Sequence, residues 1–292
     1  MGIDSLPVRE LGEADPIALM GRETVAREAV LPAEVDGEPF PDDGWRFGPD
    51  WFAFDVPGLR FLYRRGRGIE WQCFDESHRG DVPLYLSGSV YSAVASLNDL
   101  VPLHVSAVLH DGRVHGFGGP SGAGKSTLVA ALTNEGFPLV ADDTLLLKLN
   151  ERGPPICLPG HRRLKLTRSA FLLTSAEREE IADAERDKFY AVPASLAPGE
   201  LYPLASITFL EEGPETRLER LGSGARMARL RDDHYTTLMY EEAQQMTAEH
   251  RFALQARLAR DIDAAVLSRP LDAESFPKAV ALATRYVRTG TA

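Results

Sequence analysis

The chain has 292 residues, of which 44% are hydrophobic and 26% charged, as in an ordinary globular protein of one large domain or two smaller ones. Its net charge of −11 at pH 7 argues against DNA or RNA as a partner. No apolar stretch approaches the ~20 residues of a membrane helix, and the acidic N-terminus lacks the apolar core of a secretory signal. We therefore expect a cytoplasmic protein without a nucleic-acid or membrane partner. Its two cysteines, Cys73 and Cys157, lack metal-ligand spacing and fit a reducing compartment.

The first hundred residues carry weak structural signals. Residues 1 to about 57 are rich in Pro, Gly, Asp and Glu, which predicts irregular or lightly structured chain. Leu59–Tyr63 and Ile69–Phe74 predict a β-hairpin, and the apolar spacing in Val82–Leu100 predicts a helix. Five aromatic residues are expected to anchor the core of this region rather than to stack on a ligand: Trp45, Phe47, Trp51, Phe52 and Phe54.

From His104 the pattern becomes that of an α/β domain. His104–Leu109 and Val114–Phe117 predict a second hairpin, Ser126–Asn134 an apolar helix, and Phe137–Ala141 a buried strand. Strand, loop, helix and strand in this order begin an α/β fold. Further predictions are a strand at Leu145–Leu149, a helix around Ser175–Ala184, a strand at Leu204–Leu210, a long polar helix around Tyr240–Ala259, a strand at Ala264–Leu267 and a closing helix at Phe276–Val287.

The segment Gly119–Ser126 has the sequence GPSGAGKS and lies between a predicted strand and a predicted helix. This GxxxxGK[ST] pattern predicts a nucleoside triphosphate site, because its amides surround phosphates at a helix N-terminus. Lys125 would reach the β- and γ-phosphates, and the Ser126 hydroxyl would be a Mg²⁺ ligand. The residues predicted to bind the nucleotide are Gly119, Ser121, Gly122, Ala123, Gly124, Lys125, Ser126 and Thr127.

The same loop occurs in GTPases, ATP-driven motors and kinases. The chain contains neither the Asn-Lys-x-Asp element that recognises guanine nor the Leu-Ser-Gly-Gly signature of transporter ATPases. Kinase chemistry is therefore the leading interpretation.

Two adjacent carboxylates, Asp142 and Asp143, follow the buried strand. Ligands of α/β sheets bind at this carboxyl edge. One carboxylate would hold Mg²⁺, and the other would accept the proton of an acceptor hydroxyl. In the alternative interpretation, Asp143 caps a turn and Asp142 alone partners Mg²⁺.

Three segments together resemble the catalytic domain of HPr kinase/phosphorylase and related bacterial kinases: Leu103-His104, Gly118–Ser126 and Gly136–Asp143. Some of those relatives phosphorylate a serine of a precursor peptide such as a lasso peptide. The resemblance implies an α/β P-loop kinase core of the HPr kinase (PEP carboxykinase-like) type over residues 100–292. A smaller N-terminal region of strands plus a helix would occupy residues 1–99.

The resemblance also implies roles for single residues. Asp142 would be the catalytic base, Ser126 and Asp143 would hold Mg²⁺, and His104 would support the catalytic aspartate or the phosphate, with Lys125 completing the catalytic set. The metal-binding glutamate and arginine loop of HPr kinases have no counterpart that we can place in Cys157–Leu166. HPr itself is therefore not the acceptor that we expect.

The sequence thus predicts an ATP- and Mg²⁺-dependent kinase of a hydroxyl, first of all a serine-type hydroxyl of a peptide or protein. A kinase of a small-molecule alcohol and a nucleotide-binding regulatory protein with little catalysis are alternatives, as is a relative that binds pyrophosphate or a nucleoside diphosphate. Members of this family commonly assemble, so a homo-oligomer is also expected. Basic residues that fit either phosphate contacts or an exposed surface are Arg163, Lys165, Lys188, Arg226, Arg229 and Arg231.

Overall fold

The computed structural model describes residues 15–174, 176–183, 188–230 and 234–291; for 177–183 and 188 it describes the backbone. These residues form two compact units. The first unit contains the described residues up to Pro102 together with 234–251, and the second contains the remainder from Leu103 onward. The predicted domains, 1–99 and 100–292, stay a prediction.

The protein is a mixed α/β structure with several sheets. No helix in the described part of the chain is long and apolar enough to cross a bilayer. Up to residue 103 the elements are α1 (Pro16–Glu23), β1 (Ala26–Glu28), β2 (Glu34–Val35), β3 (Glu38–Pro39), β4 (Gly44–Phe47), β5 (Trp51–Val56), β6 (Leu59–Arg64), β7 (Gly68–Cys73), a 3₁₀-helix (Glu76–Asp81), α2 (Val82–Ser87), α3 (Ser89–Leu97) and β8 (Val101–Leu103).

The later elements include the remaining strands and six helices within the described residues. They are β9 (Ser106–His110), β10 (Arg113–Gly118), α4 (Lys125–Asn134), β11 (Leu139–Ala141), β12 (Leu145–Lys148), β13 (Ile156–Leu158), β14 (Leu164–Thr167), α5 (Arg168–Thr174), β15 (Glu177–Asp183), β16 (Lys188–Val192), β17 (Tyr202–Glu212), β18 (Arg217–Arg220), α6 (Ser223–Arg229), α7 (Tyr235–Ala243), α8 (Ala248–Asp261), β19 (Asp263–Arg269) and α9 (Phe276–Thr289).

The first unit is built on a sheet with the strand order β1-β7-β6-β5-β4. Neighbouring strands run antiparallel, except that β1 runs parallel to β7. Trp51, Phe52 and Phe54 are buried in β5, whereas Trp45 and Phe47 are half-buried on the edge strand β4. The prediction that these aromatic residues anchor the core is therefore confirmed for the three on β5.

A buried polar network joins three elements of the first unit. The Tyr63 hydroxyl donates to the Glu23 carboxylate at 2.8 Å and accepts from the Asn98 amide at 2.8 Å. The Gly66 amide donates to the same glutamate oxygen. Burial raises the pKa of Tyr63, so the phenol stays protonated and keeps its donor role. Fully partnered buried polar groups of this kind fix one arrangement of the elements that they join.

Three parallel strands form the centre of the second unit. β17 lies between β10 and β19 and runs parallel to both. β9 continues the sheet antiparallel to β10, and β11 pairs with β9. The carboxyl ends of β10, β17 and β19 therefore meet at one edge, the edge at which α/β sheets bind ligands.

Helices α4 and α9 pack their apolar residues against this sheet. Leu128 and Leu132 of α4 and Ala279 of α9 share one core cluster with Phe117 of β10 and Leu139 of β11. This packing fixes where α4 begins, and α4 begins at the end of the glycine-rich loop. The hairpin β9–β10, the helix at 126–134 and the strands at 204–210 and 264–267 are thus confirmed.

Two predicted helices are interrupted. The helix predicted over Val82–Leu100 is divided into α2 and α3 at Gly88, whose φ of −114° and ψ of −99° are not helical. The helix predicted around Tyr240–Ala259 is divided into α7 and α8 by a turn in which Gln245 has a φ of +47°. The apolar spacing of the first segment continues across its break, and the second segment is a predicted polar helix, so periodicity alone locates neither break.

Two other predictions are wrong. The segment around Ser175–Ala184 was predicted to be a helix, but its described part is strand β15, paired with β16. Its Glu, Arg and Ala residues have high helix propensities, but intrinsic propensity is a weak determinant, and strand pairing overrides it here. The irregular chain predicted up to residue 57 instead contains α1 and β1 to β5 from residue 16 onward, while residues 1–14 lie outside the described part.

His115 on β10 should make stability depend on pH. Burial first, and then the charges of His110 and Arg113, lower its pKa from 6.5 to about 4. A lowered folded pKa means that the unfolded chain binds the proton more readily, so stability is complete above pH 6.5 and falls as pH drops towards 4. The expected loss is about 3 kcal/mol.

Urea unfolding at pH 7 and pH 4.5 measures this effect. His115→Gln should lose less unfolding free energy than the wild type between these two pH values. An equal loss in both proteins would show that His115 does not cause it.

Candidate functional site

The loop between β10 and α4 has a backbone that glycine alone fits well. Gly119 has a φ of +136°, and a Cβ there would lie 2.6 Å from the carbonyl oxygen of Leu210 on β17. Gly124, the N-cap of α4, is left-handed with a φ of +89°. No side chain caps the helix at this residue, so the first amides of α4 point into the loop. The loop therefore has the form of an anion-binding helix N-terminus.

Lys125 folds back over the same loop. Its ammonium donates to the carbonyl oxygens of Gly119 at 2.8 Å and Pro120 at 3.2 Å, and the side chain is buried. A positive charge is thus held inside the curve of the loop, beside the amides of α4. Ser121 and Gly122 are exposed at the tip, Ala123 is buried, and Thr127 is half-buried in the first turn of the helix.

Asp142 lies at the end of β11 and is 1% exposed. Its Oδ1 accepts from the hydroxyls of Ser126 at 2.8 Å and Ser106 at 2.6 Å, and its Oδ2 accepts from the amide of Lys165 at 2.9 Å. Burial and the neighbouring Asp143 raise its pKa, while these three hydrogen bonds lower it. The first two causes prevail, so ionised Asp142 carries an electrostatic cost in the folded protein.

Asp143 occupies a strained turn. Its φ is +72°, and the amide of Thr144 donates to the carbonyl of Asp142 at 2.9 Å, which together describe a tight three-residue turn of an uncommon kind. Gly160 packs under this turn, where a Cβ would lie 2.6 Å from the carbonyl oxygen of Thr144. The turn sends the Asp143 side chain away from buried Asp142 and leaves it 35% exposed.

Two basic side chains face Asp143. Nδ1 of His104 lies 3.0 Å from the Asp143 carbonyl oxygen and 3.5 Å from Oδ1, and Nζ of Lys165 lies 3.7 Å from Oδ2. A carbonyl oxygen can only accept, so the hydrogen bond places a proton on Nδ1 of His104. Burial, together with Lys165 and Arg163, lowers the pKa of nearby His161. The partly exposed Asp143 carboxylate therefore lies 3.5 Å from a ring nitrogen and 3.7 Å from an ammonium.

The structure brings most predicted site residues together. The loop, Lys125, Ser126, Asp142, Asp143 and His104 meet at one edge of the sheet of the second unit. His104 does so from the segment before β9 rather than from within the strand, because pairing in β9 begins at Ser106. Ser106 was missed by sequence reasoning, since a lone serine in an apolar strand gives no chemical signal.

The basic residues divide into different environments. Lys165 reaches the site, whereas the Arg163 guanidinium lies 4.5 Å from the ring centre of Tyr190. Arg226 on α6 donates to backbone carbonyls and pairs with Asp263, and Arg229 pairs with Glu211. These contacts give the two α6 arginines a structural role. The Lys188 side chain and residue Arg231 lie outside the described part of the chain.

The site suits a Mg²⁺ ion that takes some of its ligands from the protein and the others from a bound phosphate group. The Ser126 hydroxyl and the Asp142 carboxylate are hard oxygen donors 2.8 Å apart, with Asp143 adjacent in the chain. Among the described residues, no three His, Cys, Asp or Glu side chains form a metal cage. Mg²⁺ commonly binds through one or two carboxylates plus substrate phosphates, which this donor set fits.

Comparisons with known proteins leave the family open. No protein-family model matches the chain, and no curated protein matches it. Among solved structures, the chain resembles the Hpr(Ser) kinase/phosphatase from Coxiella burnetii with 13% sequence identity and a TM-score of 0.32, over 63% of this chain and 89% of that one. Values this low support no conclusion about activity. The resemblance drawn from the three sequence segments therefore stays a prediction.

Proposed function

We propose that this protein is a phosphotransferase that moves the γ-phosphoryl group of ATP to a hydroxyl. The observation that carries the proposal is the 2.8 Å hydrogen bond from Ser126 of the glycine loop to Asp142, with the more exposed Asp143 beside it. A loop hydroxyl and a strand-end aspartate are the pair that holds Mg²⁺ in P-loop enzymes. A second, accessible carboxylate is the group that transfer to a hydroxyl requires in addition.

The geometry favours Asp143 as the base and Asp142 as the partner of Mg²⁺, which reverses the roles implied by the sequence resemblance. A base must come within hydrogen-bonding distance of the acceptor hydroxyl. Asp142 is 1% exposed, and both its oxygens already accept hydrogen bonds. Asp143 is 35% exposed and lies at the edge of the site.

In the proposed step, the acceptor oxygen forms a bond to the γ-phosphorus while its proton passes to the Asp143 carboxylate. The bond between the γ-phosphorus and the bridging oxygen breaks, and ADP leaves with that oxygen. Lys125, the amides of α4 and the Lys165 ammonium stabilise negative charge on the transferred group. His104 holds the Asp143 turn through the carbonyl that its Nδ1 contacts. Mg²⁺ held by Ser126 and Asp142 would neutralise phosphate charge when bound.

The proposed acceptor is a serine-type hydroxyl of a peptide or protein, as the resemblance to precursor-peptide kinases implies. The residues named above would serve a small-molecule alcohol equally well. A regulatory protein would bind the nucleotide through the same loop without transferring its phosphate. A homo-oligomeric state is likewise a proposal from the resemblance.

Transfer of label from γ-labelled MgATP tests the proposal. Wild-type protein is incubated with serine-containing peptides and with small alcohols, and stable phosphate esters are counted alongside ADP. Label should appear in an acceptor, and Lys125→Met should abolish both nucleotide binding and transfer. Lys148→Met, which removes a lysine of β12 outside the site, is the matched control and should retain both.

The outcomes separate the alternatives. Nucleotide binding without transfer to any acceptor would favour the regulatory protein. Failure of the wild type to bind ATP, ADP or pyrophosphate would overturn the nucleotide site itself.

A further inference from the structure

Arg269 is a buried arginine at the same edge of the sheet as the glycine loop. It is the last residue of β19 and only 8% exposed. In the register of the parallel strands, Gly118 lies opposite Phe209, and Phe209 lies opposite Val266. Arg269 therefore stands three residues, about 10 Å, beyond the level at which β10 ends. This carries it over the loop that follows β10.

The guanidinium touches the loop where α4 begins. A Cβ placed on Gly124, the N-cap of α4, would lie 2.7 Å from Nη2 of Arg269. Gly124 thus makes room for the arginine as well as adopting a left-handed backbone. This point lies beside the start of α4, whose N-cap glycine has no side chain that could accept from the first amides of the helix.

The orientation of Arg269 is fixed from its other side. Nη1 donates to the Pro270 carbonyl at 3.0 Å, and the guanidinium carbon lies 5.5 Å from the ring centre of Phe276. These contacts leave Nη2 directed to the loop. A side chain with a fixed rotamer loses little entropy when it binds a ligand.

The positive charge of Arg269 has no ion-pair partner among the described residues. Burial lowers its pKa, and Asp272 opposes that shift, although the Asp272 carboxylate itself accepts from the Ser275 amide at 2.7 Å. A buried charge without a counter-ion is costly unless a ligand supplies one. Arg269 and Lys125 therefore add two charges to the positive end of the α4 dipole.

We propose that Arg269 is a phosphate ligand of the nucleotide site, contacting the phosphate held at the N-terminus of α4. Guanidinium groups bind phosphate oxygens through charge-assisted hydrogen bonds, and Nη2 of Arg269 faces the loop from which such a bond would be made. This inference rests on the proposed nucleotide site and adds to it a residue that lies more than a hundred positions after the loop.

Binding of MgADP and of inorganic pyrophosphate to Arg269→Met tests the inference. Loss of a charged hydrogen bond should weaken both about 10- to 100-fold relative to wild type. Arg269→Lys should recover part of the loss, because lysine restores the positive charge but not the paired N–H donors of the guanidinium. The matched control is Arg257→Met, since Arg257 is also 8% exposed but lies on α8, with its Nε 4.0 Å from Asp261.

Thermal unfolding of each variant separates binding from folding. Arg257→Met should bind both ligands as the wild type does, even if its melting temperature falls. Should Arg269→Met not fold, Arg269→Gln carries the test with the same expected weakening, and Arg269→Lys with a smaller one.

Three results would decide against the inference. Wild-type affinity of folded Arg269 variants for both ligands would overturn it and leave the proposed function intact. Weakened ADP binding with unchanged pyrophosphate binding would overturn the phosphate contact. If the wild type bound neither ligand, the proposed function would fail first, and the role of Arg269 with it.

Discussion

Replacing Asp143 with asparagine should lower the turnover number for phosphoryl transfer by about 10²- to 10⁴-fold, the usual contribution of a general base. Asparagine is nearly the same size, but its amide cannot take a proton from the acceptor. The side chain is 35% exposed, so the fold should tolerate the change. The measurement is steady-state kinetics with an acceptor that the labelling experiment has identified beforehand.

Nucleotide binding is the control for this variant. Asp143 lies 3.7 Å from the Lys165 ammonium and 3.5 Å from Nδ1 of His104. In Asp143→Asn no carboxylate competes with the phosphates for the Lys165 ammonium and the His104 ring. MgADP should therefore bind as tightly as to the wild type, or somewhat more tightly. Retained turnover in Asp143→Asn would exclude Asp143 as the base.

Replacing Asp142 with asparagine should lower transfer by about 10³-fold or more, because several kcal/mol of metal-dependent charge stabilisation is lost. The distinguishing measurement is a Mg²⁺ titration of ADP binding. Metal-free ADP should bind to Asp142→Asn as it does to wild type, whereas added Mg²⁺ should no longer strengthen binding. Asp143→Asn should keep the response to Mg²⁺.

The stability of Asp142→Asn should move in the opposite direction to its activity. Burial and Asp143 raise the pKa of Asp142, so its ionised form costs stability at neutral pH. Asparagine is uncharged, can accept from the Lys165 amide and can donate to the two serine hydroxyls. We therefore expect an unfolding free energy at pH 7 equal to or above that of wild type. Sites that trade stability for function show this pattern.

The two variants together decide between two assignments of roles. Loss of the Mg²⁺ response in Asp143→Asn, with normal metal dependence in Asp142→Asn, would restore the assignment implied by the family resemblance. Loss of the Mg²⁺ response in Asp142→Asn alone supports the arrangement that we infer from burial and hydrogen bonding.

Local features of the site were predictable because short-range chemistry determines them. Glycines at positive φ, a lysine and a serine at fixed spacing, and aspartates after an apolar strand leave direct traces in the sequence. The parallel order of β10, β17 and β19 was not predictable in the same way. Strand pairing joins residues far apart in the chain, and the hydrophobic pattern of a buried strand does not name its neighbour.

Two residues that the sequence did not indicate, Ser106 and Arg269, and one whose role it left open, Lys165, are placed by contacts between segments far apart in the chain. Ser106 contributes because β9 pairs with β11 and brings its hydroxyl to Asp142. Lys165 contributes because its own amide binds that carboxylate, which places its ammonium beside Asp143. Arg269 is the last residue of β19 and lies beyond the apolar run Ala264–Leu267 by which the strand was predicted. A single Ser, Lys or Arg is most often a surface residue, so composition could not select these three.

The position of Lys125 has a consequence for what the loop will accept. Its ammonium is already solvated by two peptide oxygens, those of Gly119 and Pro120. A ligand oxygen must therefore replace these carbonyl oxygens as the hydrogen-bond acceptor of Lys125. A neutral oxygen gains little binding free energy by this replacement. Phosphate oxygens carry more negative charge than carbonyl oxygens, so they can displace the carbonyl oxygens from the Lys125 ammonium. We therefore expect the loop to favour polyanions over neutral ligands such as sugars and alcohols before any catalytic group takes part.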